Sequence, residues 1–158
     1  MQYEPLFHVI LVEPEIPNNT GNIGRTCVGM QSKLHLVKPL GFEINDKQLR
    51  RSGLDYWPHL EWQVHESLKE WQEQSKTPSR TFYFSTKAKK TIYELEFQRG
   101  DQFVFGKETK GLPEDLIYSN LDQAVKIPML GPIRSYNLAN SVAVALFEAS
   151  RQLQVNKG

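Results

Sequence analysis

The sequence predicts an α/β domain with a mainly parallel sheet that is covered by helices on both faces. Short apolar runs alternate with longer amphipathic or polar segments along the 158 residues, as expected for alternating strands and helices. The clearest helical pattern comes last, in residues 135–153. We find no internal repeat or low-complexity tract, and we expect residues 1–158 to form one domain.

The first elements follow from apolar runs and the turn residues between them. Residues 6–12 are apolar apart from one histidine and rich in branched side chains, which predicts a buried strand. Two prolines in residues 13–17 exclude a helix interior or a central strand. The sequence Asn-Asn-Thr at 18–20 offers good cap residues for a helix that ends near Met30. Residues 33–37 predict a second strand.

The remaining elements continue the alternation. Residues 65–74 predict an exposed helix, and residues 80–85 and 101–105 predict two further strands. Pro113 stands where the first turn of a helix tolerates proline. Residues 124–127 predict a short final strand.

The last helix is predicted by spacing alone. Its apolar residues recur at intervals of four, four, three and four, which places them on one helical face. These residues are Leu138, Val142, Leu146, Ala149 and Leu153.

Composition excludes several classes of protein. The formal net charge is +1, which excludes a strongly basic histone-like chain and an acidic tail protein. Cys27 is the single cysteine, so no disulfide and no cysteine-based zinc site can form within one chain. The four histidines are scattered without ligand spacing, and we expect no metal. No apolar window is long enough to span a membrane, so we expect a soluble protein of a reducing compartment, the cytoplasm.

Three unusual loops each follow a predicted strand and open a helix. They are residues 13–25 (EPEIPNNTGNIGR), 105–113 (FGKETKGLP) and 127–141 (IPMLGPIRSYNLANS). Glycine and proline fix the shape of these loops, and polar residues between them are able to bind a ligand. Ligands of parallel sheets bind at the carboxyl ends of strands, so the three loops together favour a site over three ordinary turns.

Common chemical motifs do not fit these loops. Residues 106–111 begin like a phosphate-binding loop, but Leu112 and Pro113 stand where lysine and Ser/Thr are required. The dinucleotide pattern G-x-G-x-x-G is absent, and no serine lies in a nucleophile elbow.

Taken together, the three loops resemble the motifs of the SPOUT superfamily of methyltransferases, in its small TrmL-like branch of tRNA 2′-O-methyltransferases. Residues 46–56 (DKQLRRSGLDY) also resemble this branch. The resemblance covers essentially the whole chain, and its motifs are long and in the same order.

The resemblance implies a fold, a cofactor and a substrate. The C-terminal part of the α/β domain would form a trefoil knot, which patterning would never suggest. S-adenosylmethionine would bind among the knot loops, and two copies would form a homodimer with the active site near the interface. The enzyme would methylate the ribose 2′-oxygen of the wobble nucleotide, position 34, a cytidine or modified uridine, in the tRNA anticodon stem-loop.

The resemblance also assigns residues by position. Arg25 would stabilise the forming alkoxide or hold a phosphate, since its guanidinium is too basic to act as a simple base. Glu108 and Asn137 would complete the catalytic set: Glu108 would orient Arg25 or cap the next helix, and Asn137 would bond the ribose or hold the knot. The implied cofactor-binding residues are Phe84, Gly106, Gly111, Ile127, Leu130, Ser135 and Leu138.

Local basic groups would bind the RNA despite the nearly neutral total charge. The candidates are Arg50, Arg51, Lys87, Lys107 and Arg134.

Two alternative functions stay open at this point: methylation of a different tRNA or rRNA ribose, and a non-catalytic module that binds RNA or cofactor. Phe147 stands where this branch often has tyrosine. A tyrosine hydroxyl therefore cannot take part in substrate handling at this position.

Overall fold

The structure is a computed structural model that describes residues 4–45, 47, 49, 51 and 55–154. Its centre is a seven-stranded sheet in the order β3-β2-β1-β6-β4-β7-β5. The strands are β1 (His8–Val12), β2 (Lys33–Val37), β3 (Trp62–His65), β4 (Thr81–Phe84), β5 (Lys90–Thr91), β6 (Gln102–Phe105) and β7 (Ala124–Lys126). Every pairing between neighbouring strands is parallel.

Helices cover both faces of the sheet, as predicted. They are α1 (Pro17–Gly29), α2 (Leu68–Gln74), α3 (Glu114–Tyr118) and α4 (Leu138–Gln152). Ile23 of α1 and Val142 of α4 pack into a core cluster with Phe103 on one face. Trp71 of α2 and Ile117 of α3 belong to the cluster on the opposite face. This arrangement buries the central strands on both sides, which explains why their sequences are mainly apolar and do not alternate with polar residues.

The strands that differ from the sequence prediction are short. Residues 62–65 and 90–91 form β3 and β5, and neither segment has a continuous apolar run.

The predicted helix 65–74 begins only at Leu68. His65 ends β3, and Ser67 caps the helix by accepting from the N–H of Glu70 at 3.1 Å. That helix is also less exposed than expected, since Trp71 is buried.

The start of α1 also differs from the prediction. Pro17 is its first residue and Ile16 its cap position, so residues 18–20 lie inside the helix rather than at its cap. Proline suits the first helical position because its missing N–H would have no partner there. The cap residue Ile16 makes no side-chain bond to this end; a residue of another loop bonds there, as described below.

Three histidines form a hydrogen-bonded ladder across β1, β2 and β3, with His35 and His65 buried and His8 half-buried. The Nδ1 atom of His8 lies 2.9 Å from Nε2 of His35, and Nδ1 of His35 lies 2.9 Å from Nε2 of His65. His65 is 1% exposed, and its own Nδ1 has no partner within the described chain. Burial lowers the pKa of His8 to about 4 and lowers the pKa values of His35 and His65 in the same direction. His8 and His35 therefore pack within the sheet as hydrogen-bonded side chains.

Candidate active site

The three unusual loops meet around one cavity, at the edge of the sheet where the strands end. Loop 1 is residues 13–16 together with the start of α1, loop 2 is residues 106–113, and loop 3 is residues 127–137. The cavity has a volume of about 910 Å³, within the range of small-molecule and cofactor sites, roughly 300–1,000 Å³. The predicted convergence of the loops is therefore confirmed.

One wall of the cavity is apolar. Phe84, at the end of β4, stacks on Phe105, at the end of β6, with ring centroids 4.5 Å apart and an angle of 20° between planes. Ile127 and Leu138 also line the cavity, and both pack against the core from its edge. This wall offers a flat, dry surface to an aromatic ring.

Loop 2 turns back on itself at two glycines. A Cβ at Gly106 would lie 2.0 Å from the carbonyl carbon of Gly111 and 2.1 Å from the nitrogen of Leu112. Gly111 has φ +70°, and its N–H donates to the carbonyl of Lys107 at 2.8 Å. Gly106 is therefore needed for the turn itself, whether or not it also contacts the cofactor.

Loops 1 and 2 are held together by two carboxylates. Glu108 of loop 2 accepts from the N–H groups of Glu15 and Ile16, each at 2.8 Å. Glu15 in turn accepts from the N–H of Thr109 at 3.0 Å and from its hydroxyl at 2.7 Å. These bonds from Thr109 lower the pKa of Glu15. Because Glu108 places a negative charge at the start of α1, it supplies the cap that α1 lacks in its own sequence.

An amide pair extends this connection to loop 3. The Nδ2 group of Asn19 donates to Glu108 at 3.2 Å, and Oδ1 of Asn19 accepts from Nδ2 of Asn137 at 3.2 Å. Oδ1 of Asn137 also accepts from the N–H groups of Ala139 and Asn140, which caps α4. All three loops are thus joined through Glu108, Asn19 and Asn137.

The basic residues around the cavity differ in their partners. Lys107 lies 3.5 Å from the carboxylate of Glu13, and Lys87 pairs with Glu114. The other basic residues that line the cavity have no ion pair with any described residue. They are Lys110, Lys126 and Arg134.

Most of the predicted site residues lie at this cavity. Those that line it are Phe84, Lys87, Gly106, Lys107, Glu108, Gly111, Ile127, Arg134, Ser135, Asn137 and Leu138. Leu130 does not, because it points away from the protein at the tip of loop 3 and is 99% exposed. Arg51 is exposed elsewhere on the chain, and Arg50 lies outside the described residues.

Arg25 also lies away from the cavity. Asn19 lines the cavity, but Arg25 follows it by six residues, which is about 9 Å along α1 and about two-thirds of a turn around it. The guanidinium of Arg25 is exposed and lies 5.9 Å from the ring centre of Tyr56. The nearby acids of loop 1, Glu13 and Glu15, are bonded to Lys107 and Thr109 of loop 2.

Asn19 and Thr109 are site residues that sequence reasoning missed. Both stand inside the unusual loops, so the loops themselves were the signal. Their roles depend on partners about 90 or more positions away in the chain, which no local pattern reveals.

Two further kinds of site receive no support in the described part of the chain. No group of three His, Cys, Asp or Glu side chains comes together there as a metal site would require. Within the same ranges, every helix is too short or too polar to cross a bilayer.

Comparison with known proteins points to one family. The SpoU rRNA Methylase family matches residues 6–147. The tRNA (cytidine(34)-2′-O)-methyltransferase of Saccharophagus degradans is 46% identical over 151 residues, which is 94% of this chain and 96% of that protein. A solved structure described as "Structural insights into the 2-OH methylation of C/U34 on tRNA" is 43% identical and superposes with a TM-score of 0.90, covering 95% of this chain and 97% of that one.

A more distant structure shares the fold. The SpoU methyltransferase AviRb of Streptomyces viridochromogenes, solved in complex with the cofactor AdoMet, is 22% identical, with a TM-score of 0.82. The match covers 99% of this chain and 61% of AviRb.

Proposed function

The chain belongs to the SpoU rRNA methylase family, and we propose that it transfers a methyl group from S-adenosylmethionine to the ribose 2′-oxygen of nucleotide 34 of tRNA. The observation that carries the proposal is the meeting of three family-like loops around one cavity. The names of the two nearly full-length relatives support the reaction and the position. The nucleotide would be a cytidine or a modified uridine of the anticodon stem-loop.

The residues of the cavity fit the cofactor. The stacked pair Phe84 and Phe105, with Ile127, suits an adenine ring, and the polar loops surround the space beyond this wall. AviRb, which has the same fold, binds AdoMet. When bound, S-adenosylmethionine supplies a methyl group on a sulfonium that leaves readily. The protein must then align the ribose oxygen with that methyl carbon, and alignment can contribute about 7–11 kcal/mol in favourable cases.

Glu108 and Asn137 act on this reaction by positioning the loops. Both oxygens of Glu108 accept from the start of α1, and the amide of Asn137 is used by α4 and Asn19. These contacts fix the cavity wall on which cofactor and ribose are aligned. Their loss would move the wall without removing a reacting group.

Arg25 acts as the catalytic cation from a second copy of the chain. Its exposed position on α1 keeps it out of the cavity of its own chain. In the cavity of a partner copy it would donate to the ribose oxygen as negative charge develops there. The proposed dimer therefore has an active site that is incomplete in one chain.

The dimer surface combines the outward faces of α1 and α4, which pack side by side. Asn22, Arg25 and Gly29 are exposed on α1. Val144 and Phe147 are 43% and 59% exposed on α4. Burial of these two apolar side chains against a partner is more favourable than their exposure to water.

The finer features follow from the same proposal. Residues 1–158 would form one methyltransferase domain, and its C-terminal part, loop 3 and α4, would be threaded as a trefoil knot. Support comes from the insertion of β6 between β1 and β4, and from the return of α4 after β7 to pack against α1. A cytoplasmic location would follow from the tRNA substrate. The phosphates of the tRNA would be bound by Lys87, Lys107, Arg134, Arg50 and Arg51.

The test is a methyl-transfer reaction with mapping of the product. The purified protein is incubated with labelled S-adenosylmethionine and bulk tRNA from cells that lack wobble ribose methylation. We expect a 2′-O-methyl group at nucleotide 34 after digestion. A methyl group on another tRNA ribose would mean that the enzyme modifies a different nucleotide. Absence of transfer to this tRNA would contradict the proposed substrate.

A further inference from the structure

The cavity carries more positive charge than the proposed cofactor needs. Among the described residues that line it, five are basic and three, Glu13, Glu108 and Glu114, are acidic. Each of these acids is already bonded to loop 1, to loop 2 or to Lys87. S-adenosylmethionine is a cation overall, because its sulfonium and ammonium outweigh its one carboxylate. The three bases without an ion pair, Lys110, Lys126 and Arg134, would therefore be stabilised by anionic ligands.

Lys126 stands apart from the other unpaired bases. Lys110 and Arg134 are exposed on loops 2 and 3, where a polyanion can reach them from solvent. Lys126 is half-buried and is the last residue of β7, between fully buried Val125 and cavity-lining Ile127. Lys126 lines the cavity and has no ion pair or hydrogen bond to any described residue. An anion of fitting size would be stabilised beside a half-buried lysine that has no counter-charge of its own.

The carboxylate is the one anionic group of S-adenosylmethionine. With adenine on the apolar wall beside Ile127, the amino-acid portion must extend into the remaining polar space of the cavity. Lys126 lies at the same strand end as Ile127, and because side chains alternate between the two faces of a strand, it projects on the side away from the apolar wall.

We propose that Lys126 binds the carboxylate of the methionine portion of the cofactor. This proposal rests on the proposed cofactor and adds a residue that selects for it. Lys126 distinguishes the intact cofactor from nucleosides that lack the carboxylate, while the exposed bases Lys110 and Arg134 stay free for RNA phosphates. A charge-assisted contact of this kind changes affinity by about tenfold.

The experiment compares two cofactors in two proteins by calorimetry, without RNA. S-adenosylmethionine is titrated beside decarboxylated S-adenosylmethionine, which keeps the sulfonium and the ammonium. The variant Lys126→Gln is expected to bind S-adenosylmethionine about tenfold more weakly and to bind the decarboxylated form as the wild type does. Lys90→Gln is the matched control, since Lys90 is exposed on the neighbouring strand β5 and does not line the cavity.

Each other outcome overturns the proposal in a recognisable way. Equal loss for both cofactors would mean that Lys126 only shapes the cavity. Unchanged cofactor affinity, with weaker tRNA binding and a shallower dependence on salt, would mean that Lys126 binds an RNA phosphate. If the wild-type protein binds neither cofactor, the proposed function itself fails, before Lys126 is tested.

Discussion

Glu15 and Glu108 each bind the backbone of the other's loop. Glu108 accepts from the N–H of Glu15, and Glu15 accepts from the N–H of Thr109, the residue after Glu108. The two residues are 93 positions apart in the chain, and Glu108 lines the cavity. They form a reciprocal clamp that sets the distance between loops 1 and 2, and the shape of the cavity depends on it.

Loss of the charge on Glu108 should weaken this clamp. Glu108→Gln keeps the size of the side chain but presents an amide N–H to a backbone N–H, so one bond is lost. We expect the free energy of unfolding to fall by roughly 1–2 kcal/mol, measured by urea denaturation, with weaker binding of S-adenosylhomocysteine. Glu114→Gln is the control, because its exposed pair with Lys87 should contribute under about 1 kcal/mol. Equal effects of the two variants would contradict the clamp.

The turn of loop 2 predicts a strong effect for a single methyl group. In Gly106→Ala the new Cβ would meet the backbone of Gly111 and Leu112, which cannot move as a flexible side chain can. We expect a loss of about 2–3 kcal/mol in the free energy of unfolding and loss of cofactor binding.

Gly29→Ala is the matched control for that variant. A Cβ at Gly29 would meet nothing within 4 Å at the end of α1, so the substitution should be neutral or stabilising by up to about 1 kcal/mol. A Gly106→Ala protein as stable as the wild type would show that loop 2 can open without cost.

The histidine ladder should make the fold sensitive to acid. The pKa of His8 is lowered from 6.5 to about 4. Between pH 6.5 and pH 4, His8 is therefore protonated in the unfolded chain and neutral in the folded chain. Stability is therefore complete above about pH 6.5 and falls as the pH decreases towards 4. We expect the free energy of unfolding to drop by about 2 kcal/mol or more from pH 7.5 to pH 5.

Variants of two histidines test the source of that dependence. His8→Gln removes one titrating member of the ladder and should flatten the pH dependence of unfolding. His59→Gln should not, because His59 is exposed outside the ladder. Identical pH profiles for wild type and His8→Gln would rule out the ladder as the cause.

Arg25→Ala should separate binding from turnover. The proposed role of Arg25 is at the reacting oxygen in a partner's cavity, so kcat should fall by about 10²–10³-fold. The affinity for S-adenosylhomocysteine should stay near the wild-type value, because Arg25 lines no part of the cavity in its own chain. If turnover and cofactor affinity fall together, the catalytic assignment is wrong. Arg99→Ala, another exposed arginine, controls for the loss of a surface charge.

The exposed face of α4 predicts the oligomeric state. Phe147→Asp places a charge at the centre of the proposed dimer surface, so light scattering should report a monomer where the wild type is a dimer. Tyr118→Asp alters an exposed aromatic on α3, away from α1 and α4, and should leave the dimer intact. A wild-type protein that is monomeric at micromolar concentration would exclude an active site shared between copies.

Much of the fold follows from local patterns. The mainly apolar segments 6–12, 33–37 and 101–105 contain the buried strands β1, β2 and β6, and helical spacing predicted α4. The loops of the site were also visible, because glycine and proline between a strand and a helix indicate a constrained turn. β3 and β5 were missed because they are short and at least half polar, with no apolar run to mark them.

By itself, the sequence determined that the chain forms an α/β sheet with three unusual loops at one edge, since burial and backbone restriction leave periodic, local marks. The tertiary structure alone decided the strand order, the clamp between Glu15 and Glu108, the ladder from His8 to His65, and the distance of Arg25 from the cavity of its own chain. Each of these depends on residues far apart in sequence that meet only when the chain path is complete. A hydrogen bond across about 90 residues carries no periodicity, so no local pattern could have predicted it.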